Sequence, residues 1–346
     1  MPTIADVAVA AGVSKSTVSR VLSGHFSHIK PATREKVMAT VESMNFRPSR
    51  VARSLSVRKT YTIGVLVSDI GNPFYADVIH GIEDAGLSKG YSFFLGNTGF
   101  DPRRGMDLVN SLIDRRVDGV ISLFSRASED WMSLLSQQGI PASVVNWDFS
   151  LTPGLVSISV DFEPGIKAAV EHLVGLGHKH FAHISGPVDL FTSRQRQAVF
   201  LDALAACGIP ASNVAIIEGD FSVEGGRRAA GELLKRRDRP TAVFAANDQM
   251  AIGVMAEARS LGLELPEDLS VVGLDDIWPA AQMEPPLSTV AMPRYEIGFQ
   301  AMERLMELFQ REDPVSGEPL EAQVTTRFIQ RASTAGPSHR GTATKR

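Results

Sequence analysis

From Tyr61 onward the chain alternates between two textures. Short apolar runs such as "YTIGVLVSDI", "YSFFLGNT", "VDGVISLF", "PASVVNWD", "VSISVD", "HKHFAHISG", "AVFAAND" and "LSVVGLDD" each close on polar or glycine residues. Between them stand longer segments with apolar residues three and four apart, among them a run from Phe74 to about Leu87, "MDLVNSLIDRR", "GIKAAVEHLVGLG", "RQRQAVFLDALAACG" and "MAIGVMAEARSLG". Continuous apolar runs of this length are buried strands, and the three-four spacing is the helical period. Strand and helix in strict alternation, with strands apolar on both faces, predict doubly wound parallel sheets covered by helices. The units are too many for one sheet, so two α/β lobes are expected.

Residues 3–47 have a different texture, that of three short helices. The first is predicted near Thr3–Ala10, with Thr3 as N-cap and Asp6 three residues on, a capping-box pattern. A tight turn follows at Ala11-Gly12-Val13. The second starts from an N-cap at Ser14 and runs to about Leu22, with Val18, Val21 and Leu22 on one face. The third spans Pro31 to about Met44 and turns Val37, Met38, Val41 and Met44 inward; Pro31 suits the first helical position. Helix, glycine turn, helix is the helix-turn-helix arrangement, whose second helix enters the DNA major groove. "GVSKSTVSRVL" fits that use, because its exposed face carries donors instead of carbon. Ser14 and Thr17 suit phosphate at a helix N-terminus. Lys15, Ser16 and Arg20 can reach base edges, with Ser19 beside them. "RPSRVARSLSVRKT" then reads as a basic linker with one amphipathic turn at Val51–Leu55.

Charge sharpens the division. Residues 1–60 hold ten Lys and Arg against Asp6, Glu35 and Glu42, a net of +7, which leaves −11 for the rest of a chain whose total is −4. A basic module on an acidic body points to an anionic partner for the first module alone. The hydrophobic fraction of 44% over 346 residues provides for a sizeable core, and no apolar run approaches the roughly 18 residues that cross a bilayer. Cys207 is the single cysteine, which excludes an internal disulfide and a thiolate zinc cage. The N-terminus lacks the pattern of a secretory leader, so a reducing cytoplasm is the expected compartment and no membrane partner is expected.

In order along the chain, "TIADVAVAAGVSKSTVSRVLSG", "TREKV", "MNFRPSRVARSL", "TIGVLVSDIGNPFYADVIHGIEDA", "RRVDGVI", "GHKHFAHISGP", "AANDQMAIGVM" and "LSVVGLDD" resemble the lactose repressor (LacI/GalR) family of bacterial transcription regulators over residues 3–331. That resemblance implies a helix-turn-helix headpiece at 1–47, a hinge helix and linker at 48–60, and a periplasmic-binding-protein-like body at 61–331. The body divides into an N-lobe (about 61–161 and 293–320) and a C-lobe (about 162–290 and 321–331), with a disordered tail at 332–346. It further implies a homodimer on palindromic double-stranded operator DNA, with Thr3, Ser14, Lys15, Ser16, Thr17, Ser19, Arg20, Arg50 and Arg53 on the duplex and Leu55 wedged into the minor groove. A small-molecule effector would sit between the lobes, beyond the carboxyl ends of the strands, touching Phe74, Asp161, Arg196, Phe221, Asn247 and Asp275. Trp147 and Trp278 stand beside these motifs and could add to the wall. A sugar, polyol or sugar acid suits polar groups flanked by aromatics, with a purine or carboxylate metabolite as the alternative. Three departures are visible: Lys30 replaces a serine cap, Val199 a glycine, and Trp147 stands near a position often acidic.

Other signals carry less. His172, His178, His180 and His183 fall on a helix end, a turn and a strand, spacings that do not converge on a metal. Asp275 and Asp276 are adjacent on a strand end and should point apart, which disfavours a catalytic carboxylate pair. No P-loop, HExxH or nucleophile elbow occurs, so no enzyme, metal or cofactor is expected. A transport-type solute-binding protein would share the body yet have no use for residues 1–60.

Overall fold

A computed structural model describes residues 2–22, 26–46, 59–123, 129–146, 152–236 and 238–337. The chain divides into two compact units, Met1–Thr60 and Tyr61–Arg346.

The first unit holds α1 (Ile4–Ala11), α2 (Lys15–Leu22) and α3 (Pro31–Ser43). Thr3 and Asp6 form a reciprocal capping box at the start of α1, and Gly12 closes it in the left-handed conformation at φ 63°. Thr17 N–H donates to Ser14 Oγ at 3.1 Å, so Ser14 caps α2. Val7, Ala8, Ala11, Val18, Val21 and Val37 make the small core. Met38, expected inward, is 47% exposed; one residue beyond Val37 on a helix is a rotation of about 100° away from the core. Lys30 gives α3 no side-chain cap, leaving Pro31 to set its first turn.

The second unit begins with β1 (Thr62–Val67), α4 (Phe74–Leu87), β2 (Ser92–Asn97), α5 (Pro102–Asp114), β3 (Gly119–Leu123), α6 (Glu129–Gln137), β4 (Ala142–Val145) and β5 (Leu155–Asp161). It crosses into α7 (Glu163–Gly175), β6 (Phe181–Ser185), α8 (Phe191–Ala206), β7 (Val214–Glu218), α9 (Val223–Leu234), β8 (Ala242–Ala245), α10 (Asp248–Ser260), β9 (Ser270–Asp275) and β10 (Ser288–Ala291). The chain then returns through α11 (Arg294–Leu308) and β11 (Leu320–Thr325) and crosses once more to β12 (Arg327–Ile329). The two sheets run β11-β5-β4-β3-β1-β2 and β12-β10-β9-β8-β6-β7. Among the described residues every pairing is parallel except β10 with β12, which is antiparallel. The body is thus a pair of doubly wound lobes joined by three crossovers.

Two expected boundaries move. Residues 320–325 belong to the first sheet, because β11 pairs in parallel with β5 from Leu320–Val156 to Thr325–Asp161, and the final crossover comes only at Thr326. The tail is not free from 332. Ser333 is buried, accepts from Ser288 N–H at 2.8 Å and donates to the Val271 carbonyl at 2.6 Å. Ala335 N–H donates to Ser270 Oγ at 3.0 Å, and its carbonyl bonds His178 Nε2 at 2.9 Å. Residues 332–337 satisfy backbone groups at the amino ends of β9 and β10, a role that their polar composition conceals; 338–346 lie outside the described residues.

Helices α4 and α11 lie so close that a Cβ on Gly298 would sit 1.8 Å from the Val78 carbonyl, and one on Gly81 would sit 2.1 Å from the Tyr295 carbonyl. Glycine at both positions lets the two backbones meet and interlock.

Candidate functional site

On α2 the apolar residues Val18 and Val21 face the core, and Ser14, Lys15, Ser16, Ser19 and Arg20 are left exposed, with Thr17 half-buried. Ser14 Oγ lies 2.7 Å from Ser16 Oγ and 2.9 Å from Thr17 Oγ1, so the hydroxyls form one cluster over the helix start. Thr3 is spent within its own cap, its N–H and Oγ1 both donating to Asp6 at 2.7 and 2.8 Å. Arg50, Arg53 and Leu55 lie outside the described residues.

In the body, a cleft of about 700 Å³, its open mouth included, is lined by residues of both lobes. Phe74, Arg196, Phe221, Asn247 and Asp275 all border it. They arrive from the first turn of α4, from α8, from the loop before α9, from the N-cap of α10 and from the end of β9, so carboxyl ends of strands supply most of the wall. Asp161 is elsewhere. Its Oδ1 accepts from Glu163 N–H at 3.0 Å and its carbonyl from Thr326 Oγ1 at 3.0 Å, which ties the first and last crossovers together. Trp278 is 71% exposed on a short 3-10 turn and does not line the cleft. Trp147 lies outside the described residues.

The charged centre is Arg196 with Asp275, buried residues whose Nη2 and Oδ1 are 3.9 Å apart. Arg196 Nη1 donates to the Ala246 carbonyl at 2.6 Å and its guanidinium stands 4.9 Å over the Phe162 ring, while its Nε has no hydrogen-bond partner. A buried donor left unmade costs more than an ordinary bond gains, so burial of this guanidinium is a cost that the rest of the fold offsets. Burial pushes the Asp275 carboxyl up to about 7, with Asp248 adding to the shift and Arg196 and Arg294 opposing it. Burial also lowers Arg196. Both groups therefore gain from a ligand that hydrogen-bonds their charged forms.

Asn247 differs from its expected role. Its Oδ1 accepts from Met250 N–H and its Nδ2 donates to the Phe221 carbonyl, each at 2.9 Å, so the side chain chiefly holds the α10 cap and the Phe221 loop. Phe221 sits in the left-handed region at φ 66°, and Phe100 across the cleft does the same at φ 59°. Their rings are 6.4 Å apart at 24°.

Sequence reasoning missed Asn72, Tyr75, Phe100, Asn146 and Thr192, all on the cleft wall. Asn72 and Asn146 use Oδ1 on the Phe74 and Val160 amides, at 3.0 and 2.8 Å, so each side chain has its amide nitrogen left as a donor. Two signals point to them: Asn72, Phe100 and Asn146 each follow the carboxyl end of a strand, and Thr192 is one helical turn before Arg196. Buried His183 sits between Phe200 and Phe244 with Nδ1 on the Phe244 carbonyl at 3.0 Å, and desolvation lowers it to about 4.

Residues 3–49 match the model of bacterial regulatory proteins of the lacI family, and residues 170–334 that of a periplasmic binding protein-like domain. The HTH-type transcriptional repressor PurR of Photobacterium profundum is 38% identical, over 89% of this chain and 92% of its own. The lac repressor dimer bound to operator and the anti-inducer ONPF is similar in structure at a TM-score of 0.83 and 30% identity, covering 96% of this chain and 99% of that one. A LacI family transcriptional regulator from Enterococcus faecium with bound ribose is similar at a TM-score of 0.72 and 32% identity, covering 80% of this chain and all of that one (100%).

Proposed function

The chain belongs to the LacI family of bacterial regulatory proteins, transcriptional regulators and not enzymes, and from that premise we propose that it is a repressor that binds a palindromic operator as a homodimer and is controlled by a sugar, polyol or sugar acid in the interlobe cleft. The observation that carries the DNA side is the α2 face, where every group suited to phosphate or base edges is solvent-exposed or half-buried and the apolar residues alone make the core. Arg and Lys at these positions favour guanine, and the hydroxyls favour phosphate. The effector side is supported by Asp275 as an acceptor, Arg196 and the Asn72 and Asn146 amides as donors, and the phenyl rings of Phe74, Phe100 and Phe221 on the same wall. That set matches a ring carrying hydroxyls, and the similar E. faecium regulator holds ribose. Arg50, Arg53 and Leu55 take the hinge role by family resemblance. The protein works in the cytoplasm, where its operator is.

The test is a mobility-shift titration on DNA upstream of its own locus, paired with a thermal-shift screen of sugars, polyols, sugar acids and purines. Sequence-specific retardation that an effector from the screen strengthens or weakens is the expected result. No retardation at low salt, with or without ligands, overturns the repressor reading. A purine as the sole stabilising ligand overturns the effector class and leaves the rest.

A further inference from the structure

The turn that follows β9 carries more arginine contacts than effector binding requires. Asp275 and Asp276 are consecutive non-glycine residues with φ of 119° and 58°. Such a conformation persists only where the surroundings over-determine it, and here three arginines do so. Arg196, on α8, faces the Asp275 carboxylate at 3.9 Å. Arg331, just beyond β12, pairs with the Asp276 carboxylate at 2.5 Å and donates to the Leu287 carbonyl at 2.7 Å. Both belong to the C-lobe and anchor the turn there.

Arg294 is different. It is the first residue of α11, in the N-lobe, and its side chain is 14% exposed. Its Nη1 donates to the main-chain carbonyls of both Asp275 and Asp276. Its Nε and Nη2 each lie 2.8 Å from Asp77 Oδ2 on α4. One planar guanidinium thus spans from a C-lobe turn to an N-lobe helix, and only the forked geometry of arginine can do so, since a lysine ammonium is a single point. Of the three arginines on this turn, it is the one whose ion pair, among the described residues, lies in the other lobe. At its far end, α4 begins with Phe74 on the cleft wall and is locked backbone to backbone with α11 through Gly81 and Gly298.

We infer that Arg294 is a positioning residue: it reads the conformation of the Asp275–Asp276 turn through two carbonyls and transmits it to Asp77, and so to the interlocked α4–α11 pair. A ligand that draws the Asp275 carboxylate away from Arg196 rotates the turn. The two carbonyls then move against Arg294, and the helix pair follows as one body. The inference rests on the cleft being the effector site, but the linkage can be read without any effector, so the two stand or fall separately.

Amide hydrogen exchange on the full chain, read by mass spectrometry over residues 74–80, makes the test. Asp275→Asn, a side-chain change at the turn, serves as the perturbation in place of a ligand. In the parent background it should change exchange in this segment by about 5-fold, and in an Arg294→Met background by less than about 2-fold. Asp77→Asn, which breaks the other end of the strut, should abolish the transfer equally. Arg294→Lys keeps a charge opposite Asp77 while losing the fork; it should behave as the methionine variant does, and serves in its place if that variant does not fold. A merely structural Arg294 would raise exchange in α4 by itself yet leave the Asp275→Asn increment undiminished. That outcome overturns the proposal, and so does the lack of any change over residues 74–80 on Asp275→Asn in the parent.

Discussion

The face of α2 and the wall of the cleft both present polar side chains, under opposite physical conditions. On α2, Lys15, Ser16, Ser19 and Arg20 stand in water, and the three-helix core beneath is apolar and complete without them. In the cleft, Arg196 and Asp275 are 8% and 4% exposed, are penalised by burial and hold a turn in place. A recognition surface of the first kind can change its polar groups without cost to the fold. One of the second kind cannot, because each buried charge is both a ligand contact and a structural member. Substitutions in the two places should therefore separate binding from stability in different ways.

The largest effect is expected from Arg196→Met. Effector affinity should fall by about 100-fold, the worth of a charged hydrogen-bonding group, and thermal stability should fall with it, because the Ala246 carbonyl loses its donor and Asp275 its counter-charge. Isothermal titration with the effector found by screening, beside a thermal melt, measures both. An unchanged melting temperature would break the contrast.

Next in size is a pH effect from three buried groups of the C-lobe, of which Asp275 alone lines the cleft. Asp275 is raised to about 7 and Asp248 to about 6, from an ordinary 3.8. Between those limits the folded chain holds protons that the unfolded chain has released. The stability these groups contribute is complete below about pH 4 and is lost as pH rises through 6 and 7. His183 acts in reverse: lowered from 6.5 to about 4, its contribution is present above 6.5 and lost as pH falls toward 4. Asp275→Asn should thus gain about 2 kcal/mol relative to the parent between pH 5 and pH 8 in denaturant titrations. A constant difference across that range would refute the assignment.

On the headpiece, Arg20→Ala should lower specific operator affinity by about 10-fold, in the range of one base contact, with the melting temperature unchanged. Fluorescence anisotropy on operator and scrambled duplexes reads the ratio; equal losses on both would reassign Arg20 to phosphate. The smallest effect belongs to Thr3→Ala, which removes the capping box of α1 at a cost of about 1 kcal/mol, read as faster amide exchange in Ile4–Ala11 with specific contacts retained.

How much of this was legible follows from distance along the chain. The α2 site lies within nine residues, Lys15 to Leu22 with its cap Ser14, so helical spacing alone separates its core face from its wet face. The cleft is drawn from segments as far apart as Asn72 and Ile297, and periodicity says nothing of which strand ends meet. Phe74, Arg196, Phe221 and Asp275 could be named only by resemblance to a family. Asp161 shows the limit of that route, since it is occupied by a crossover, while Asn247 borders the cleft and also holds a helix cap and a loop carbonyl. Assigning residues 321–325 to the C-lobe fails for a related reason: the alternating burial of an edge strand identifies a strand, not its partner.

By itself, then, the sequence determined what short-range forces decide: where helices and strands begin and end, which faces are apolar, and that a basic module precedes an acidic one. Only the tertiary structure decided which carboxylates are buried, which amides are already bonded, and that Arg294 joins a strained turn to a helix of the other lobe. Desolvation and hydrogen-bond satisfaction depend on neighbours distant in sequence, and no local pattern encodes them.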